Sequence, residues 1–134
     1  VLIIKAWPTE SSYQGIQIGN PWWQSLDYAN RVSSLTLDQS KISSDGAIYY
    51  LLSKIDPGYY NWLDIEDFNR GVILMRYDGL KNASLDESLY PSAQLIKIND
   101  LNKHLPSDEK KIIEGEREIQ IQKRREHVQK RFNY

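Results

Sequence analysis

Apolar and β-branched residues in the first hundred positions come in short runs, each broken by turn chemistry. Val1 to Trp7 reads as a strand that Pro8 stops. Tyr13 to Ile18 alternates, with Gly15, Gln17 and Gly19 lying between Gln14, Ile16 and Ile18, and Gly19-Asn20-Pro21 breaks the pattern. Arg31 to Leu37 sets Val32, Ser34 and Thr36 against Ser33, Leu35 and Leu37, the pattern of a half-buried strand. After the tight-turn pair Asp45-Gly46, Ala47 to Leu52 has strong strand propensity. In Asp56-Pro57-Gly58, Pro presets one turn dihedral and Gly accepts the positive φ of a type II turn. Gly71 to Tyr77, closed by Asp78-Gly79, and Ala93 to Ile98 complete about six strands, a pattern that favours an antiparallel sandwich or barrel. Trp22, Trp23, Leu26 and Ala29/Asn30 have helical spacing, so Pro21 to Asn30 is read as a short helix or a turn.

Beyond residue 100 the pattern changes. Ser107 is a candidate helix cap, Asp108 and Glu109 follow in a first turn, and Lys123, Arg124, Arg125, Lys130 and Arg131 gather at the other end. That polarity suits the helix dipole and predicts a helix from Asp108 to Phe132. Ile112 and Ile119 share one face of it, and Ile121, Val128 and Phe132 nearly the opposite one. The absence of a single seam argues against a coiled coil and predicts that one half packs on the body and the other elsewhere. The reading is therefore one domain, with a β body over residues 1–100 and a helical tail over 101–134. The body carries 8 basic and 12 acidic residues and the tail 9 and 6, so an acidic body is joined to a basic tail. These opposite signs point to a tail that folds back or reaches an acidic neighbour.

Composition narrows the chemistry. With no Cys, thiolate zinc sites, disulfides and a cysteine nucleophile are excluded. The net charge of −1 argues against nucleic acid, and the opening apolar run is far too short to span a membrane. His104 and His127 lack a metal-binding spacing, and no phosphate loop or serine elbow occurs, so no cofactor is expected. An apolar strand at Val1 reads as the start of a C-terminal piece of a longer chain, or of a mature product whose upstream part is absent.

The densest polar and aromatic stretch runs from Asp56 to Asp67. Read functionally, Tyr59, Tyr60 and Trp62 form a platform for a flat ligand, with one of Trp22 and Trp23 beside them. Carboxylates from Asp56, Asp64, Glu66 or Asp67 could work with Arg70 or Arg76 in acid–base chemistry. Read structurally, Trp62 and Leu63 plug the sandwich while Asp56, Asn61 and Asp64 satisfy turn amides. Arg31, Arg70 and Arg76 are candidate partners for the acids.

Pro21-Trp22-Trp23-Gln24-Ser25-Leu26-Asp27-Tyr28-Ala29-Asn30-Arg31, Asp45-Gly46, Asp56-Pro57-Gly58, Asn61-Trp62-Leu63-Asp64, Arg70-Gly71 and Arg76 together resemble the family called domain of unknown function 1214. The ending Arg124 to Phe132 resembles that family too. The resemblance implies a mainly β fold, a jelly-roll-like antiparallel β-sandwich with a C-terminal α-helical tail. It also implies a place as the C-terminal part of a longer, mostly bacterial protein, behind an upstream domain, and it carries no catalytic residues. The expected function is a ligand- or partner-binding module with Trp62, Tyr59, Tyr60, Trp22, Trp23, Asp64, Arg70 and Arg76 as candidate site residues. The alternatives are a scaffold that forms homo-oligomers through the basic tail, and part of an enzyme using the loop carboxylates.

Overall fold

A computed structural model describes residues 1–132 of the chain. Seven strands run Leu2–Ala6 (β1), Tyr13–Gly19 (β2), Ser34–Thr36 (β3), Ile48–Ser53 (β4), Trp62–Asp64 (β5), Val72–Asp78 (β6) and Ser92–Leu95 (β7), and one helix, Glu116–Phe132 (α1), follows. They form two sheets, ordered β5-β4-β1-β7 and β3-β2-β6. The mainly β sandwich with a C-terminal helix expected from the sequence is the observed architecture.

Strand alternation builds two apolar layers. Ile4 and Ala6 of β1, Ile48, Tyr50 and Leu52 of β4, and Leu63 of β5 meet Ile16 and Ile18 of β2 and Leu35 of β3 between the sheets. The opposite-pointing residues Ile3, Tyr49 and Leu51 pack with Ala47, Leu101 and Leu105 on the far side of the four-stranded sheet. The 3₁₀ segment Ile98–Lys103 and the chain just after it supply that cover. β4 is thus buried on both faces, which is why Ile48 to Leu52 reads as a continuous apolar run.

Four local expectations change or narrow. First, β5 was read as loop, but it pairs in parallel with β4 through Leu51 with Trp62 and Leu52 with Leu63. Second, the strand expected over Arg31 to Leu37 shrinks to Ser34–Thr36. Its first part serves both sheets instead: Val32 O accepts from Asp64 N at 2.8 Å, and Ser33 O from Ile18 N at 3.0 Å. Third, of the two readings open for Pro21 to Asn30 the turn is the one observed, because the Asn20 side chain accepts from both Trp22 N and Gln24 N at 3.0 Å. Fourth, α1 begins at Glu116 and not at Asp108. Tyr60 N donates to Lys110 O at 2.9 Å and Ile112 N to Gly58 O at 3.0 Å, which holds 110–112 extended against the body. Gly115 then takes φ +84°, a left-handed turn before the helix starts. The last two residues of the expected tail lie outside the described ones.

α1 folds back on the body along one face. Ile121 packs against the main core, whereas Ile119 points outward and is exposed. The helix has no fully buried residue, so its attachment rests heavily on polar contacts.

Candidate functional site

The stretch from Asp56 to Asp64 is a docking station for the tail. Asp56 receives Arg117 through two bonds, from Nε at 2.8 Å and Nη2 at 3.0 Å. The same guanidinium donates to Tyr59 O at 2.6 Å and Tyr60 O at 3.1 Å, and lies 5.0 Å from the Trp62 ring centre. Trp62 is buried, and its indole N–H donates to Ser53 Oγ at 3.0 Å. Tyr59 packs on the second apolar layer, and Lys41 Nζ sits 4.9 Å from the Tyr60 ring. Asn61 exchanges two 2.8 Å bonds with the main chain of Lys41. Asp64 is buried, accepting from Arg31 Nη1 at 3.0 Å and Glu66 N at 2.8 Å. The aromatics and acids read as a ligand platform are therefore spent on architecture, and the structural reading of this stretch fits the geometry.

The remaining candidates separate. Trp22 and Trp23 are 71% and 74% exposed at the tip of the Asn20 turn, with Trp23 at φ +62°. On a strand one of the two could have faced the core; the turn leaves both outside. Arg70 lines an apolar cavity of about 770 Å³ at one end of the sandwich, together with Leu2, Ile18, Leu26, Phe68 and Val72. Arg76 lines a different cavity, of about 480 Å³. None of Asp56, Asp64, Glu66 and Asp67 lines either one. Asp67 is exposed, with Lys54 Nζ 3.2 Å away.

The cavity at Arg76 lies between the outer face of the three-stranded sheet and the C-terminal half of α1. Gly15, Gln17, Ser34, Thr36, Leu74 and Arg76 form its floor, because residues that alternate with the inward Ile16, Leu35 and Met75 must point out. Gly15 matters to this floor: a Cβ there would come 2.8 Å from Tyr13 Oη, so the missing side chain lets the Tyr13 ring lie over the strand. Arg124, His127, Val128 and Arg131 form the roof, at helical spacings of three and four. Tyr13 and Tyr28 complete the wall, and among the described residues no carboxylate lines the space.

Arg124 fixes the roof to the floor. Its Nε donates to Tyr28 O at 3.0 Å, Nη1 to Ser34 O at 2.7 Å and Nη2 to Ser34 Oγ at 2.9 Å. All these acceptors are neutral. Burial pulls its guanidinium below the ordinary value, but Arg remains charged at neutral pH. Farther out, Arg125 Nε donates to Asn30 Oδ1 at 2.9 Å. Sequence reasoning singled out Arg76 but missed Arg124, Arg131, Tyr13 and Tyr28; His127, which lacks a metal-binding spacing, is exposed on the roof. The available signal was the repeat Arg117, Ile121, Arg124, Val128, a stripe in which arginines stand where apolar residues were sought.

Among the described residues, no cluster of three or more His, Cys, Asp or Glu could hold a metal ion. No helix there is long and apolar enough to cross a membrane.

No protein-family model matches the chain, and no curated protein does. A solved structure of an uncharacterized protein from Burkholderia cenocepacia is similar, with a TM-score of 0.65 and 23% sequence identity. The match covers 73% of this chain and 26% of that one, so this chain corresponds to about a quarter of the longer protein. At that identity the likeness is one of fold alone.

Proposed function

We propose that this domain is a ligand-binding module and that the cleft between the three-stranded sheet and α1 is its site. One observation carries the reading. The helix is tied to the body by Arg117 at its start and Arg124 near its middle, yet it stands off the sheet and leaves about 480 Å³ between them. That volume is in the range of small-molecule sites, and two tyrosines, Leu74 and Val128 give it an apolar part beside its polar groups. A loop-carboxylate enzyme has less support, since none of the loop carboxylates Asp56, Asp64, Glu66 and Asp67 lines either cavity. On the same footing we propose that the chain is a domain of the 1214 type that works beside an upstream domain of a longer protein, a reading supported by the motif resemblance.

The test is a small-molecule screen by amide NMR, repeated on Leu74→Trp. Leu74 points into the cleft from β6, so a larger side chain fills the space while the inner face is untouched. Hits are expected to shift amides of β2, β6 and α1 in the wild type and to leave Leu74→Trp unshifted, with its thermal midpoint little changed. Hits that map elsewhere, or that bind the filled variant equally, would overturn the reading.

A further inference from the structure

We infer that the ligand of this cleft is an organic anion, a phosphate or carboxylate head on a small flat or apolar body. The inference rests on the cleft being a ligand site and adds the class of ligand. Three guanidinium groups, Arg76, Arg124 and Arg131, and the His127 ring line the cleft, with no acid among its described lining residues. Cations this close repel one another unless an anion sits among them. Outside the cleft, Arg31 is paired with Asp64 and Arg117 with Asp56, whereas Arg125 donates to the neutral Asn30.

The three arginines divide by role. Arg124 is committed to Tyr28 O, Ser34 O and Ser34 Oγ. It therefore supplies fixed positive charge from a desolvated place, where water screens it least. Arg76 and Arg131 make no hydrogen bond or ion pair among the described residues, so their forks are available. One comes from the floor and one from the roof, which suits a group with several acceptor oxygens. Tyr13, lying over Gly15, together with Tyr28, Leu74 and Val128 provides surface for the body of the ligand.

Phenyl phosphate and benzoate are the probes, with benzyl alcohol as the uncharged control. Binding is followed by calorimetry and amide NMR on the wild type, Arg76→Gln, Arg131→Gln and Leu74→Trp. Both arginines are exposed and their side chains make no hydrogen bond or ion pair among the described residues, so these two variants are expected to melt with the wild type. At least one anion is expected to bind at low salt and to weaken as salt rises. Each arginine variant is expected to weaken it about tenfold, the worth of one charge-assisted hydrogen bond. Leu74→Trp is expected to abolish binding altogether. If benzyl alcohol binds as well as the anions, and Leu74→Trp still blocks it, the cleft is a ligand site but the anion inference is wrong. If the anions bind with affinities unaffected by Arg76→Gln and Arg131→Gln, the inference is overturned as well. If no probe shifts a cleft amide, it fails together with the reading it rests on.

Discussion

Glu109 is 7% exposed and faces no cation: its carboxylate accepts from Ser43 Oγ. Burial pushes its carboxyl up from the usual Glu range, the Ser43 hydroxyl opposes that, and the charges of Asp45 and Asp108 add to it. Because the folded chain then holds this proton more tightly than the unfolded one, the stability linked to it is complete below the ordinary value of 4.5 and is lost as pH rises through the raised one. Glu109→Gln is neutral at every pH. It is expected to melt above the wild type near neutrality, and the gap should close at about pH 4; thermal unfolding monitored by circular dichroism at both pH values checks this. Glycines give a second contrast. Gly71 has no positive φ, but a Cβ there would run into the Gly19 carbonyl oxygen. Gly58 has φ +82° and open space around it. Gly71→Ala is expected to cost about 3 kcal/mol from backbone displacement. Gly58→Ala is expected to cost only ~1 kcal/mol from its left-handed dihedral, and denaturant titration of the two variants ranks them. The Gly58 conformation was legible in Asp56-Pro57-Gly58. The role of Gly71 was not, since its neighbour Gly19 lies 52 positions away in sequence.

At the scale of elements, the strands whose inner faces are apolar were legible, and the errors cluster where a partner overrides local preference. Trp62–Asp64 is too short to announce itself, and it becomes a strand because β4 offers it an edge. Lys110–Ile112 has acceptable helix formers but is captured by Gly58 and Tyr60. The tail helix was visible in its charge polarity. The device that holds it was not, because Arg117 looks like one more solvated cation until Asp56, Tyr59 and Tyr60 surround it. Its side chain is only 12% exposed. Arg117→Ala is expected to destabilise the protein by ~2–4 kcal/mol, since it strands Asp56 and two carbonyls. Arg117→Lys should recover little of this, because an ammonium cannot reproduce the fork. Chemical denaturation measures both, and amide exchange should show α1 opening before the sheets do.

For the whole molecule, the sandwich was readable because strand alternation is a local code, and the cleft was not, because it needs three regions at once. Its floor comes from β2, β3 and β6, its wall from Tyr28 and its roof from residues 124–131. The division into acidic body and basic tail pointed to a tail that folds back or reaches an acidic neighbour, and Arg117 of the tail pairs with Asp56 of the body. It held no sign that the C-terminal half brings its cations to a wall with no acid among its described residues. The sheet order carries a further consequence, for time rather than shape. β1 lies between β4 and β7, so its neighbours are about 45 and 90 residues downstream. Pairings this distant in sequence place folding in the millisecond-to-second class. On a ribosome adding roughly 5–20 residues per second, Ile3 and Ile4 wait roughly 5–20 s for the last strand of their sheet. Over that interval the edge of β1 that faces β7 stays unpaired, an edge open to aggregation before any cleft exists.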